Sequence, residues 1–138
     1  MILTCADSRV PPEIVFDEGI GDLFVVRVAG NTANDDVTLG SVEFAVSVLH
    51  CPLVVVLGHE KCGAVTAALD AVADGRRPGR HLAALIDPIR PAVEGRELDA
   101  AVKENVRLQV AHLATAFPAP QVAGAVYALA SGRVDLVA

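Results

Sequence analysis

Two short segments hold most of the chemistry available to this chain, Cys5-Ala6-Asp7-Ser8-Arg9 and His59-Glu60-Lys61-Cys62. Two thiolates and one imidazole suit Zn²⁺ in softness and charge. Three protein ligands leave a tetrahedral ion with one open position, the arrangement of catalytic rather than structural zinc sites. An open zinc lowers the pKa of its water to about 7, giving hydroxide at neutral pH without a strong base. A fourth cysteine or a second histidine in register would close the site, but Cys51, His50, His81 and His112 are not placed for that role. Zn²⁺ is therefore the expected cofactor, with Cys5, His59 and Cys62 as its expected ligands.

Asp7 and Arg9 are the expected catalytic pair. Two anionic thiolates donate more charge to zinc than histidines would, which weakens the metal as an acid and makes an extra hydrogen-bond acceptor useful for orienting the hydroxide. Asp7, two residues after Cys5, is within reach of that task. It could also ligate zinc itself as a fourth ligand in a closed state; Arg9, on the same side of an extended loop, can hold it away through a bidentate pair. Cys62 opens a helix, whose first N–H groups favour the thiolate. The plainer readings are a structural ion pair for Asp7 and Arg9 and a small buried apolar residue for Cys5 taken alone. Arg27, inside an apolar strand, calls for an acidic partner, either across an interface or in contact with substrate. Cys51 reads as a core thiol, and His81 and His112 as solvated.

These residues must be positioned by the elements around them. Ile2 to Thr4 reads as the end of a buried strand, Pro11 and Pro12 as the start of a short helix through Phe16, and Leu23 to Val28 as a second strand. Asp35 or Asp36 can cap a helix from Val37 to about His50 whose apolar residues cover nearly its whole circumference, so it should be buried on more than one side. Leu53 to Leu57 is an unbroken apolar run typical of an inner parallel strand. Cys62 to Gly75 reads as a helix. Residues 76–93, with Arg76, Arg77, Arg80, Pro78, Pro88 and Pro91, read as a surface excursion with broken helix. Glu97 to Phe117 reads as a long amphipathic helix with Leu98, Val102, Val106, Val110, Leu113 and Phe117 at helical spacing. Gln121 to Ala130 and Val134 to Val137 flank a turn at Ser131-Gly132. The expected fold is α/β, a mostly parallel central sheet flanked by helices with a C-terminal hairpin or edge strand. Both chemical segments then lie at carboxyl ends of buried strands, where open α/β sheets bind ligands.

Composition narrows the classes. With 138 residues the chain reads as a single domain, residues 1–138. Apolar residues make up 53% and mean hydropathy is +0.48, which points to apolar surface covered by another subunit in an obligate oligomer. Net charge is −6, and residues 1–60 hold nine Asp or Glu against only Arg9 and Arg27, so nucleic acid is not an expected partner. No apolar run is long enough to span a bilayer and no leader precedes Ile2, so a soluble, cytoplasmic location is expected. Three cysteines are too few for a disulfide scaffold and read as free thiols or metal ligands.

The chain resembles the β-class carbonic anhydrases. The resemblance is carried by residues 5–13 (CADSRVPPE), 21–31 (GDLFVVRVAGN), 40–46 (GSVEFAV) and 56–65 (VLGHEKCGAV), with a weaker match at 124–127 (GAVY). It implies reversible hydration of carbon dioxide to bicarbonate and a proton by zinc-bound hydroxide, with Cys5, His59 and Cys62 as ligands, Asp7-Arg9 as the catalytic dyad, and an apolar cleft at a dimer interface. The assembly it implies is a homodimer or homotetramer. Family relatives hydrolyse carbonyl sulfide or carbon disulfide with the same ligands, and a non-catalytic zinc or thiol redox module is the contrasting class. The sequence also departs from the family pattern. Relatives usually have a helical arm before the first strand, and here Met1 stands four residues before Cys5. The glutamine that plant-type members carry after the first motif has no counterpart between Asp7 and Asn34. Some bacterial members bind regulatory bicarbonate through a tryptophan and a tyrosine; this chain has no Trp and has Phe44 in the tyrosine's place, so that regulation is not expected.

Overall fold

The computed structural model describes residues 1–75 and 77–138. Arg76, which the sequence reading assigns to the arginine-rich excursion, lies outside the described residues. The first strand, β1 (Ile2–Thr4), leads through the Cys5–Arg9 loop into a short helix, α1 (Pro12–Val15), which starts at a proline that gives up no needed N–H. Strand β2 (Val25–Arg27) follows. Asp35 caps helix α2 (Asp36–Glu43): its Oδ1 accepts the Val37 and Thr38 N–H groups at 3.1 and 2.9 Å, and its Oδ2 accepts the Thr38 hydroxyl at 2.6 Å. The Thr38 hydroxyl and N–H hold the Asp35 carboxyl below its ordinary pKa.

The predicted helix to His50 continues from α2 as a wider π turn, Phe44–Val48, with Leu49 N–H donating to the Phe44 carbonyl at 3.1 Å. His50 is left-handed, with φ 55°, and stops the helix two residues before Pro52. The expectation of burial on several sides does not hold for the chain alone. Val42 and Ala45 are fully buried, while Val37 is 81% and Val48 57% exposed, so one apolar face stands open.

Strand β3 (Leu53–His59) feeds helix α3 (Gly63–Ala73), with Cys62 as the residue just before its first turn. Helix α4 (Arg80–Ile86), a 3₁₀ turn (Asp87–Ile89) and α5 (Arg90–Val93) occupy the segment read as a surface excursion. The broken helix is as expected, but the surface placement is corrected: Ile86, Ile89, Ala92 and Val93 are all buried in the core. The arginines and prolines concealed apolar residues spaced to bury one side of the broken helix. Helix α6 (Leu98–Ala116) then returns over the sheet, followed by β4 (Gln121–Tyr127) and β5 (Val134–Leu136).

Among the described residues, five strands are ordered β2-β1-β3-β4-β5, parallel except for the antiparallel β4–β5 pair. The expected architecture is therefore the observed one, with the C-terminal strand on the sheet edge. Leu3, Val54, Val56 and Val126 join one large core with residues of α3, α5 and α6. Ile2, Leu57 and Ala125 point to the opposite face, covered by Val15, Phe16, Leu23 and Val134, as alternation along a strand requires. Two glycines set how closely α6 approaches: a Cβ on Gly58 would come within 2.6 Å of a Val106 methyl, and one on Gly124 within 2.7 Å of the other. Among the described residues, no helix is long and apolar enough to cross a membrane.

Candidate metal centre

Strand order places the site. The chain leaves β1 to pair β2 on one side, then returns to pair β3 on the other, so the carboxyl ends of β1 and β3 border a topological switch point where a crevice opens. Cys5 follows the last residue of β1, and His59 is the last residue of β3. The parallel ladder pairs Thr4 with Leu57, and the Thr4 hydroxyl fastens the two strands by donating to the Leu57 carbonyl at 2.9 Å. A tight turn through left-handed Lys61, φ 52°, then brings Cys62 back toward Cys5.

The three sequence-predicted ligands converge. Cys5 Sγ lies 4.0 Å from Cys62 Sγ, and the donor atoms of Cys5, His59 and Cys62 all lie within 4.8 Å of one another. Zn–S bonds of about 2.3 Å and a Zn–N bond of about 2.0–2.1 Å at tetrahedral angles separate donors by roughly 3.5–3.8 Å, so the trio needs to contract by about 1.3 Å at most. All three residues are buried, and His59 has no exposed surface. His59 Nδ1 bonds the Glu60 carbonyl at 2.8 Å. A carbonyl can only accept, so Nδ1 carries the proton and Nε2 is the ring's ligand atom. That Nε2 is buried without a hydrogen-bond partner among the described residues, which is costly unless something else takes its lone pair. A soft divalent cation matches this donor set.

Electrostatics of the pair point the same way. The hydrogen bond from Cys62 lowers the Cys5 thiol pKa, helped by His59 and by the Gly30 N–H, which donates to Cys5 Sγ at 3.3 Å. Sharing that proton with Cys5, together with burial, pushes Cys62 upward. The helix start at Cys62 was expected to favour its own thiolate, and the Ala64 and Val65 N–H groups do pull in that direction. A neighbouring thiolate 4.0 Å away outweighs them. Burial draws the His59 pKa down, but the Cys5 sulfur and the Glu60 carbonyl more than offset it. The pocket thus gathers protons around a thiolate, and a cation that displaces them meets the same demand.

Asp7 and Arg9 form the bidentate pair. Arg9 Nε donates to Asp7 Oδ1 at 2.8 Å, Arg9 Nη2 to Oδ2 at 2.6 Å, and the Arg9 backbone N–H to Oδ1 at 2.9 Å. The guanidinium holds the Asp7 carboxyl well below the usual carboxylate range. Arg9 Nη2 also donates to the Lys61 carbonyl at 3.1 Å, stitching the two chemical segments together. Asp7 Oδ2 is 3.9 Å from His59 Nε2, beside the donor trio rather than inserted into it.

Other residues fall differently from expectation. Among the described residues, Arg27 has no acidic partner within the chain; its guanidinium donates to the Cys5 carbonyl at 3.0 Å and the Asp7 carbonyl at 2.5 Å, and the residue stays exposed, where an acid across an interface can still meet it. These loop carbonyls satisfy its N–H groups, and no spacing rule identifies them. Gly30, absent from the sequence candidates, has φ 80° and supplies an N–H to Cys5 Sγ. His112 is not a free surface histidine, because its Nε2 bonds the Ala33 carbonyl at 3.1 Å. His81 is exposed, and Cys51 packs against the core.

A parallel α/β sheet whose switch point gathers two cysteines and a histidine, with an ionised carboxylate alongside, defines a metal-site protein of the α/β class. The sequence matches the Carbonic anhydrase family over residues 1–134, and the chain belongs to that family, in its β class. It is 40% identical to a carbonic anhydrase of Mycolicibacterium smegmatis, over 99% of this chain and 73% of that protein. It is 54% identical to carbonic anhydrase 2 of Mycobacterium tuberculosis H37Rv over 67% of this chain, a match that spans only 44% of the relative's own length. Among solved structures it is similar to a tetrameric β-carbonic anhydrase of Sordaria macrospora, with TM-score 0.81, 25% identity, and coverage of 99% of this chain and 78% of that one. A Coccomyxa β-carbonic anhydrase in complex with acetazolamide aligns with TM-score 0.80 and 28% identity, over 99% and 70% of the respective chains. These relatives do not favour the sulfur-gas hydrolase or the non-catalytic thiol reading.

Proposed function

We propose that this chain catalyses the reversible hydration of carbon dioxide to bicarbonate and a proton, with Zn²⁺ held by Cys5, His59 and Cys62 and with Asp7 and Arg9 as the catalytic dyad. The observation that carries this reading is the convergence of three buried donor atoms beside a carboxylate that Arg9 holds in place. Cys5, His59 and Cys62 would hold Zn²⁺ with one position left to solvent, and the chemistry such an ion would supply is a water acidified enough to act as the nucleophile toward carbon dioxide. The rest falls to the protein. Ionised Asp7 is an acceptor only, so it can take a hydrogen bond from the attacking oxygen and aim a lone pair at the carbon. Arg9 keeps that carboxylate from collapsing onto the donor trio, occupying both of its oxygens. The released proton leaves to solvent.

The test is stopped-flow carbon dioxide hydration by the zinc-loaded chain, by chain stripped with a chelator, and by stripped chain given zinc again. Hydration well above buffer should appear, vanish and return. Acetazolamide, bound in the Coccomyxa relative, should inhibit it. Fully loaded protein that hydrates at the buffer rate would contradict the proposal.

The assembly is part of the same reading. The open face of Val37, Phe44, Val48 and Leu49 is the kind of apolar surface a second copy covers, and the Sordaria relative is described as tetrameric. We expect a homodimer or homotetramer in sedimentation velocity, converted to smaller species by Phe44→Glu with Val48→Glu. A wild-type chain that sediments as a monomer would rule the assembly out.

A further inference from the structure

Among the polar residues of helix α6, Asn105, Gln109 and His112 are spaced at intervals of four and three and therefore share one face. Two of them sit where apolar residues are expected: Asn105 is fully buried and Gln109 is 2% exposed. All three reach the same short stretch of backbone. Asn105 Nδ2 donates to the Gly30 carbonyl at 2.8 Å, Gln109 Oε1 accepts the Ala33 N–H at 3.0 Å, and His112 Nε2 bonds the Ala33 carbonyl at 3.1 Å. Asn105 Oδ1 has no partner among the described residues. A buried amide left half satisfied destabilises a fold relative to an apolar residue of the same shape, so the one bond it makes is the reason to look for a role.

That bond ends one peptide unit from the metal centre. The stretch it grips turns through two successive left-handed residues, Gly30 at φ 80° and Asn31 at φ 48°, and a Cβ at Gly30 would sit 2.5 Å from Ile89 Cδ1. Such a turn is confined to one geometry only if its surroundings hold it. Held there, it aims the Gly30 N–H at Cys5 Sγ. A hydrogen bond to a ligating sulfur orients it and withdraws part of its charge, and this strengthens the bound metal as an acid.

We infer that Asn105 and Gln109 are positioning residues of the metal centre, which clamp the Gly30–Ala33 turn from α6 so that the Gly30 N–H stays bonded to Cys5 Sγ. The inference rests on the proposed metal reading. Neither residue touches substrate; both act through the turn.

The test uses cobalt-substituted protein, whose thiolate-to-metal charge-transfer band reports the electron density on sulfur, together with zinc affinity by chelator competition. Asn105→Leu should move the band to lower energy and weaken zinc binding about tenfold or more, the size typical of lost outer-shell partners. Val110→Ala, a core truncation on the same helix over Gly124, controls for simple destabilisation and should leave both unchanged. Asn105→Leu with a wild-type band and affinity overturns the inference. If Asn105→Leu fails to fold, Gln109→Met takes its place in the same comparison. Amide exchange on wild-type zinc-loaded protein decides the matter without any variant: the Gly30 and Ala33 amides should exchange in step with those of α6, and exchange about 100-fold faster would overturn the clamp. A chain that binds no zinc at all defeats the metal reading instead, which keeps the two failures distinct.

Discussion

His59→Ala is expected to cost the chain its stoichiometric zinc and, with it, carbon dioxide hydration. The ring is fully buried at the end of β3, its Nδ1 is committed to the Glu60 carbonyl, and its Nε2 has no protein hydrogen-bond partner among the described residues. Removing it deletes the neutral ligand and leaves two sulfurs 4.0 Å apart. Loss of outer-shell groups typically weakens metal sites 10- to 100-fold, so loss of a direct ligand should exceed about 100-fold in affinity. Metal content per chain, measured after gel filtration, checks the binding. Circular dichroism on the same sample separates site loss from unfolding. A variant that keeps one zinc per chain and hydrates at the wild-type rate would remove His59 from the ligand set.

Asp7→Asn should have the second-largest effect and a different signature. The amide has nearly the shape of the carboxylate, but one of its two positions becomes a donor. Arg9 donates to both Asp7 oxygens, so in either orientation the new NH₂ faces a guanidinium N–H or the attacking oxygen's hydrogen. Zinc content should stay at the wild-type level because Asp7 lies outside the donor trio. Turnover should fall about 100-fold or more, the range typical for loss of a positioned acid–base partner. Equal hydration by variant and wild type would reduce the Asp7–Arg9 pair to a loop fastener, the usual fate of such pairs.

Much of this arrangement was legible in the sequence because it depends on strand ends. Apolar runs at Ile2 to Thr4 and Leu53 to Leu57, each broken by a polar knot, imply two buried parallel strands with chemistry at their carboxyl ends, and β1 and β3 are hydrogen-bonded neighbours. The Asp7–Arg9 pairing followed from its two-residue spacing. Less visible was anything that depends on backbone atoms across the fold. Arg27 reads as a cation in search of an acid, yet it binds two carbonyls of the Cys5–Asp7 loop. Asn105 and Gln109 were hidden because the helical repeat was counted on apolar positions, while Gln109 lies inside that stripe and Asn105 beside it, and they reach a turn 75 and 76 residues away. The buried Ile86, Ile89, Ala92 and Val93 escaped notice for the opposite reason: arginines and prolines set the tone of their segment.

The ionisation of the two cysteines shows where local reasoning stops. A helix N-terminus at Cys62 favours a thiolate there. In the fold, the hydrogen bond from Cys62 draws the Cys5 thiol pKa down instead, with support from the Gly30 N–H of a turn far along the chain. Which sulfur ionises first is thus a property of the assembled pair, set by Cys62, His59 and Gly30 together.

X-ray absorption at the zinc edge of the loaded wild-type protein tests the central claim most directly. The account predicts two sulfur scatterers at about 2.3 Å, one imidazole nitrogen at about 2.0–2.1 Å and one further light ligand from solvent. A shell without sulfur, or one with a third sulfur in the fourth position, would contradict it.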